Sequence, residues 1–93
     1  MSPSRSPVII YTRSWCGYCA AAKSLLSGKG VAFEEIDIEA VSGARAQMIK
    51  RAGGRTSVPQ IFVGDTHLGG FDDVSALERR GGLDKLLAGE RTP

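Results

Sequence analysis

The run Val8-Ile9-Ile10-Tyr11-Thr12 is apolar or β-branched at consecutive positions. A strand with one solvated face would alternate, so this one reads as buried on both faces, with covering structure required above and below it. The rest of a 93-residue chain must supply both covers. At this size one core forms, and folding removes only about 60–65% of the surface that the extended chain exposes. A hydrophobic fraction of 42% and a charged fraction of 24% belong to an ordinary folded domain.

The covering elements follow in order. Ala20 to Leu26 are strong helix formers with an apolar face at Ala22, Leu25 and Leu26, and Gly28 and Gly30 are placed to stop the helix. Val31 to Ile38 alternates in part and predicts a second strand with a slip near Glu34 and Glu35. Strand, helix and strand over about thirty residues imply a right-handed βαβ unit. Between Gly43 and Ala52, the residues Ala44, Met48, Ile49 and Ala52 share a helical face, which Gly53-Gly54 ends. Gln60–Val63 and Thr66–Leu68 flank Gly64-Asp65, the composition of a tight antiparallel hairpin. Asp72 or Asp73 is placed to cap a helix with Val74 and Leu77 inward, Gly81-Gly82 ends it, and Leu83 to Leu87 adds a short final turn. The expectation is an α/β fold in the order β-α-β-α-β-β-α, with a four-stranded mixed sheet flanked by helices. Residues 1–7, rich in Ser and Pro, read as a flexible tail, and the domain as residues 8–93.

Twelve basic and ten acidic residues leave a formal charge of +2. That field is too weak to make nucleic acid or an anionic membrane the main partner, and it is compatible with a small anionic ligand. Apolar runs are only a few residues long and MSPSRSP lacks the apolar segment of a secretory signal, so the cytoplasm is the expected location.

The two cysteines, Cys16 and Cys19, lie in Ser14-Trp15-Cys16-Gly17-Tyr18-Cys19, between the first strand and the first helix. They close too small a loop to staple a fold. A helix starting near Cys16 would offer that sulfur its unpaired N–H groups and the positive end of its dipole, which favour a thiolate, with Arg13 nearby. Residues three apart on a helix share a face with Cα atoms about 5 Å apart, inside the usual disulfide span of about 4.4–6.8 Å. The pair is therefore suited to cycle between dithiol and disulfide. The competing readings are two small buried core residues, or half of a metal site. A structural zinc site takes four Cys or His ligands, and this chain has two Cys and the distant His67.

Three blocks together resemble the glutaredoxins of the thioredoxin-like superfamily: Tyr11 to Cys19, Arg55-Thr56-Ser57-Val58-Pro59-Gln60-Ile61-Phe62, and His67-Leu68-Gly69-Gly70-Phe71-Asp72-Asp73. The match runs from about Val8 to Leu87. Trp15-Cys16-Gly17 also resembles a thioredoxin active site, but Tyr18 stands where thioredoxins have proline. The resemblance implies a three-layer thioredoxin-like fold, Cys16 as nucleophile and Cys19 as resolving thiol. It implies a cis peptide between Val58 and Pro59, with the neighbouring backbone pairing with glutathione as an added strand. Arg13, assisted by Arg45, would meet the glycine carboxylate of glutathione, and Tyr18 would line the groove. Asp72, with backbone at Phe71 and Asp73, would meet the γ-glutamyl amine and carboxylate. His67 reads as structural, and the basic groups Lys50, Arg51 and Arg55, and Arg79-Arg80, as a solvated face.

The activity implied is glutathione-dependent reduction of protein–glutathione mixed disulfides and protein disulfides, with glutathione as co-substrate and a monomeric protein. One departure from the commonest pattern is Gly17, where proline usually stands. In the family a small residue here accompanies members that hold a [2Fe–2S] cluster between two protomers, ligated by two copies of the first cysteine and two glutathiones. The alternative is thus a cluster-bridged homodimer with Cys16 as ligand. Ser57 in place of the frequent Thr, and Phe71 before Asp72, depart at positions where the expected contacts are largely backbone.

Overall fold

The computed structural model describes residues 7–87. The tail expected over residues 1–7 and the end of the domain at residue 93 thus lie largely outside the described residues. The elements are β1 (Val8–Thr12), α1 (Gly17–Gly28), β2 (Glu34–Asp37), α2 (Ala44–Arg51), β3 (Gln60–Val63), β4 (Thr66–Gly69), α3 (Phe71–Arg79) and α4 (Leu83–Leu87). They form the three-layer, thioredoxin-like α/β architecture, on a single four-stranded sheet ordered β2-β1-β3-β4.

The apolar run Val8–Thr12 takes the interior position that its composition demands. It pairs in parallel with β2, Ile9 facing Glu34 and Tyr11 facing Ile36, and antiparallel with β3, Ile10 facing Ile61. Because successive side chains leave a strand on opposite faces, β1 feeds two cores. Val8 and Ile10 join Ala22, Leu26, Ile61, Val63, Val74 and Leu83 beneath α1, α3 and α4. Tyr11 joins Met48, Ala52 and Phe62 beneath α2, with Ile9 and Ile36 packed alongside.

Three boundaries differ from the sequence expectation. Strand β2 spans only Glu34–Asp37, because Val31 and Phe33 turn to pack on the α1-side core instead of joining the ladder. Gly28 is the last residue of α1, and the chain leaves the helix through Lys29 and the left-handed Gly30, whose φ is 71°. Neither Asp72 nor Asp73 caps α3. Gly70 is the N-cap, and Asp73, in the first turn, reaches back to accept the Gly70 N–H at 2.9 Å.

The basic surface expected at Arg51 is also corrected. The Arg51 guanidinium lies 4.3 Å from the Phe62 ring centroid and donates to Tyr11 Oη at 3.1 Å and to the Gly64 carbonyl at 3.3 Å. Its stem spans the rim of the α2-side core, so the charge is half-buried and satisfied. Lys29 ties the end of α1 to α3 and α4 through Glu78 at 2.6 Å and Asp84 at 2.9 Å. Among the described residues no helix is long and apolar enough to cross a membrane.

Leu26 is fully buried where α1 meets the sheet. Leu26→Ala is expected to cost about 2–5 kcal/mol through lost burial and a residual cavity, read as a lower midpoint in urea unfolding. Gly69 has a φ of 103°, and a Cβ there would run into the Asp73 carboxylate. Gly69→Ala is expected to lose about 1–3 kcal/mol in the same assay, from backbone strain and displacement of the Asp73 side chain.

Candidate functional site

Both cysteines sit where β1 hands over to α1. Thr12 is pinned by its hydroxyl, which donates to Glu35 Oε2 at 2.7 Å, and by its carbonyl, which accepts from the Ile38 N–H at 2.9 Å. The Thr12 and Lys23 bonds hold the Glu35 carboxyl below its ordinary range. Five residues later α1 begins. Trp15 is the one described non-glycine residue in the left-handed region, with φ of 60°, and its side chain stands fully in solvent. That turn delivers Cys16 to the N-cap in an extended conformation.

As N-cap, Cys16 does with sulfur what Ser or Asp does with oxygen. Its Sγ accepts the Cys19 N–H at 3.2 Å, and its carbonyl accepts from Ala20 at 3.1 Å. No acidic residue lies in the first turn of α1, so nothing there opposes negative charge on that sulfur. Across the cleft, the Cys16 thiol points to the Val58 carbonyl at 3.9 Å. Cys19 is in a different state. It is 2% exposed, and its thiol is pushed up to about 12, by burial first and then by its hydrogen bond with Cys16. One sulfur is half-accessible and the other is a buried thiol, so their roles differ by environment.

Cys16 and Cys19 line an open groove of about 580 Å³ with Arg13, Trp15, Lys23 and Glu35, and the predicted glutathione contacts gather in two further grooves that share Ser57 and Val58. The first, of about 190 Å³, is lined by Tyr18, Val58, Pro59, Phe71, Asp72 and Asp73, with Arg55 and Gly70 beside them. The second, of about 350 Å³, holds Arg13 and Arg45 together with Ile38 and Thr56. The Val58–Pro59 peptide is cis. Tyr18 is exposed and tilts against Phe71, the ring centroids 6.0 Å apart. Arg13 and Arg45 therefore mark one end of the paired grooves, and the first turn of α3, with Asp72 and the Arg55–Asp73 pair, marks the other.

Sequence reasoning assigned no site role to Arg55. Its guanidinium pairs with Asp73 at 2.9 Å, and with the Gly70 N–H this holds the Asp73 carboxyl well below the usual carboxylate range. Arg55 lies in the sequence block that resembles the family, but its spacing from Asp73 carries no signal. The pairing exists because the loop before β3 and the start of α3 meet in space. At Gly70 the backbones also run close, and a Cβ would make a tight contact of 3.3 Å with the Pro59 carbonyl. Among the described residues no group of three or more His, Cys, Asp or Glu stands together to hold a metal ion.

The fold and the paired sulfurs define a thioredoxin-like thiol–disulfide oxidoreductase. Comparison with known proteins narrows the class. The glutaredoxin family model matches residues 8–68. The chain is 56% identical to glutaredoxin 3 of Escherichia coli K12 over 80 residues, covering 86% of this chain and 95% of that one. It is 54% identical to a glutaredoxin of Pseudomonas aeruginosa over 82 residues, covering 88% and 96%. Among solved structures it resembles the buckwheat glutaredoxin–glutathione complex, with TM-score 0.81, 28% identity, and 94% and 83% of the two chains covered. The chain belongs to the glutaredoxin family.

Two outcomes follow from the unequal sulfurs. At pH 8, iodoacetamide should add one label per native chain, at Cys16, and reach Cys19 only in denaturant; intact and peptide mass spectrometry distinguishes the two. Folded Cys19 also holds its proton more tightly than the unfolded thiol, whose ordinary value is 9.0. Its contribution to stability is therefore complete below about pH 8.5 and is lost as pH rises toward the folded value. Denaturation midpoints between pH 9 and 10.5 should fall more steeply in the wild type than in Cys19→Ser.

Proposed function

We propose that the chain is a glutathione-dependent disulfide oxidoreductase in which Cys16 is the nucleophile and Cys19 the resolving thiol. The observation that carries this reading is the position of Cys16 Sγ, capped by the Cys19 N–H and set 3.9 Å from the Val58 carbonyl where the grooves meet. A tripeptide with a carboxylate at each end and an ammonium at one fits the charge arrangement around it. Arg13 and Arg45 suit the glycine carboxylate. The first turn of α3 suits the γ-glutamyl carboxylate through its N–H groups, and Asp72 suits the ammonium. The glutathione bound by the buckwheat relative supports the same ligand here.

The chemistry divides into two displacements. The Cys16 thiolate attacks the glutathione sulfur of a protein mixed disulfide, the sulfur–sulfur bond breaks, and the protein leaves as a thiolate that takes a proton from water. A second glutathione thiolate then attacks the glutathione sulfur on Cys16, giving oxidised glutathione and the free Cys16 thiolate. Attack through an accessible thiolate on an unhindered sulfur is what such exchange requires. Cys19 enters only when the substrate is a protein disulfide: it must lose its proton and displace the protein from Cys16. Its burial keeps it a thiol until a mixed disulfide forms beside it. A reducing, glutathione-rich compartment such as the cytoplasm suits this cycle, with glutathionylated and disulfide-containing proteins as substrates.

Gly17 favours a second reading, a glutathione-ligated [2Fe–2S] dimer. A Cβ built at Gly17 has no atom within 4 Å, so the surface beside Cys16 is open. One chain offers a single accessible thiol, and a cluster would need Cys16 from two protomers with two glutathiones. When bound it would supply electron storage or cluster transfer. Anaerobic reconstitution with iron, sulfide and glutathione, followed by visible absorption and gel filtration, tests it: a coloured dimer supports the cluster and a colourless monomer rejects it.

For the main reading, Cys16→Ser is expected to abolish turnover of a glutathionylated peptide. Cys19→Ser should keep it within about threefold while losing reduction of an intramolecular protein disulfide. Retained turnover in Cys16→Ser would overturn the assignment. Arg13→Ala and Asp72→Ala are each expected to raise KM for the glutathionylated peptide about 5–10-fold with kcat little changed, the pattern of lost ground-state binding.

A further inference from the structure

Gln60 is the first residue of β3 and is fully buried, an unusual place for an amide. Its side chain turns back toward the loop before it. Gln60 Nε2 donates to the Ser57 carbonyl at 3.1 Å and lies 3.3 Å from Ser57 Oγ. A carbonyl can only accept, so this contact fixes the amide orientation and points Oε1 the other way. There it meets His67 Nε2 at 2.6 Å, and the imidazole must carry its hydrogen on that nitrogen. His67 sits on β4, and its ring stacks on Phe62 at 4.8 Å, with the Arg51 guanidinium also over Phe62 at 4.3 Å. Burial and the cations Arg55 and Arg51 together push the His67 imidazole toward its neutral form, against the opposing pull of Asp73.

The chain of contacts ends at the reactive sulfur. Fixing the Ser57 carbonyl fixes the Ser57–Val58 peptide, and the next carbonyl, Val58, is the one that Cys16 faces at 3.9 Å. Ser57 and Val58 also form the common wall of both grooves. A strand of backbone can pair with an incoming extended ligand only if its peptide planes are held in register. Nothing in β3 itself supplies that hold, because the ladder begins at Gln60.

We propose that Gln60 and His67 form a polar brace that positions the Ser57–Val58 backbone for glutathione, making both of them positioning residues for the reaction at Cys16. The proposal rests on the glutathione reading for its consequence in turnover. Its structural half stands independently. The brace acts on the edge that receives the ligand and leaves the Cys19 N–H cap on Cys16 Sγ in place, so ligand-dependent and ligand-independent reactions of Cys16 should separate.

The test uses the full chain with Gln60→Met, which keeps length and removes both polar atoms, and His67→Phe, which keeps a ring on Phe62 and removes the donor. Three quantities are read: kcat/KM for a glutathionylated peptide, the alkylation rate of Cys16 by iodoacetamide, and the amide NMR shifts of Ser57 and Val58. Turnover is expected to fall about tenfold in Gln60→Met and about threefold in His67→Phe, with alkylation within about twofold of wild type in both. The Ser57 and Val58 amides should shift while those of α1 stay in place. Unmoved Ser57 and Val58 amides, or equal losses of turnover and alkylation, would overturn the brace. Should Gln60→Met fail to fold, the partly exposed His67 still decides the matter through His67→Phe. If the wild type itself does not turn over the peptide, the glutathione reading fails, and the loop shifts alone judge the brace.

Discussion

The site depends on one capping interaction, the Cys19 N–H donated to Cys16 Sγ at the start of α1. A helix begins with N–H groups that have no partner, and here the partner is a sulfur atom. The same bond holds Cys16 Sγ at the helix N-terminus, where it faces the Val58 carbonyl, and sets Cys19 one turn behind it. The remaining architecture serves to hold that helix end still. Strand β1 is clamped between β2 and β3 and delivers the chain to the cap, and Leu26 and Ala22 seat α1 on the sheet. Lys29 anchors the far end of α1 to α3 and α4.

The two cysteines show how burial assigns roles to identical side chains. A spacing of three residues places both on one turn, yet Cys16 is partly exposed while Cys19 is buried. The covered thiol resists ionisation, which keeps it from competing as a nucleophile with the exposed one. Opposite them, the Val58 edge is shared by a groove marked with Arg13 and Arg45 and by one that ends at the first turn of α3. The two ends differ, Arg13 and Arg45 at one and the first turn of α3 with Asp72 and the Arg55–Asp73 pair at the other, which suits a ligand with distinct ends.

Much of this was legible in the sequence, for physical reasons. The unbroken apolar run at Val8–Thr12 points to an interior strand, Gly64-Asp65 to a tight turn, and Cys16 followed by Gly17-Tyr18-Cys19 at a strand-to-helix junction to a redox pair over core thiols or half of a metal site. What stayed hidden was contact between segments far apart in sequence. Arg55 meeting Asp73 and Arg51 lying over Phe62 join segments that only the fold brings together, and His67 bonding Gln60 depends on the β3–β4 register, which shifts between Ile61 and Phe62. No composition rule reports such a shift. The cap of α3 misled for a related reason: an Asp near a helix start reads as N-cap, but Gly70 occupies that place, where a Cβ would make a tight 3.3 Å contact with the Pro59 carbonyl. Strand β2 came out short because Val31 and Phe33 pack against the α1-side core ahead of the ladder.

The most direct measurement of the central claim is amide NMR of Cys19→Ser trapped as a mixed disulfide with glutathione on Cys16. The account predicts a single adduct, with shift changes running along Arg13, Val58 and Phe71 to Asp73. An adduct whose changes bypass Val58 and the start of α3 and gather instead around Trp15, Lys23 and Glu35, or the absence of an adduct on Cys16, would contradict it.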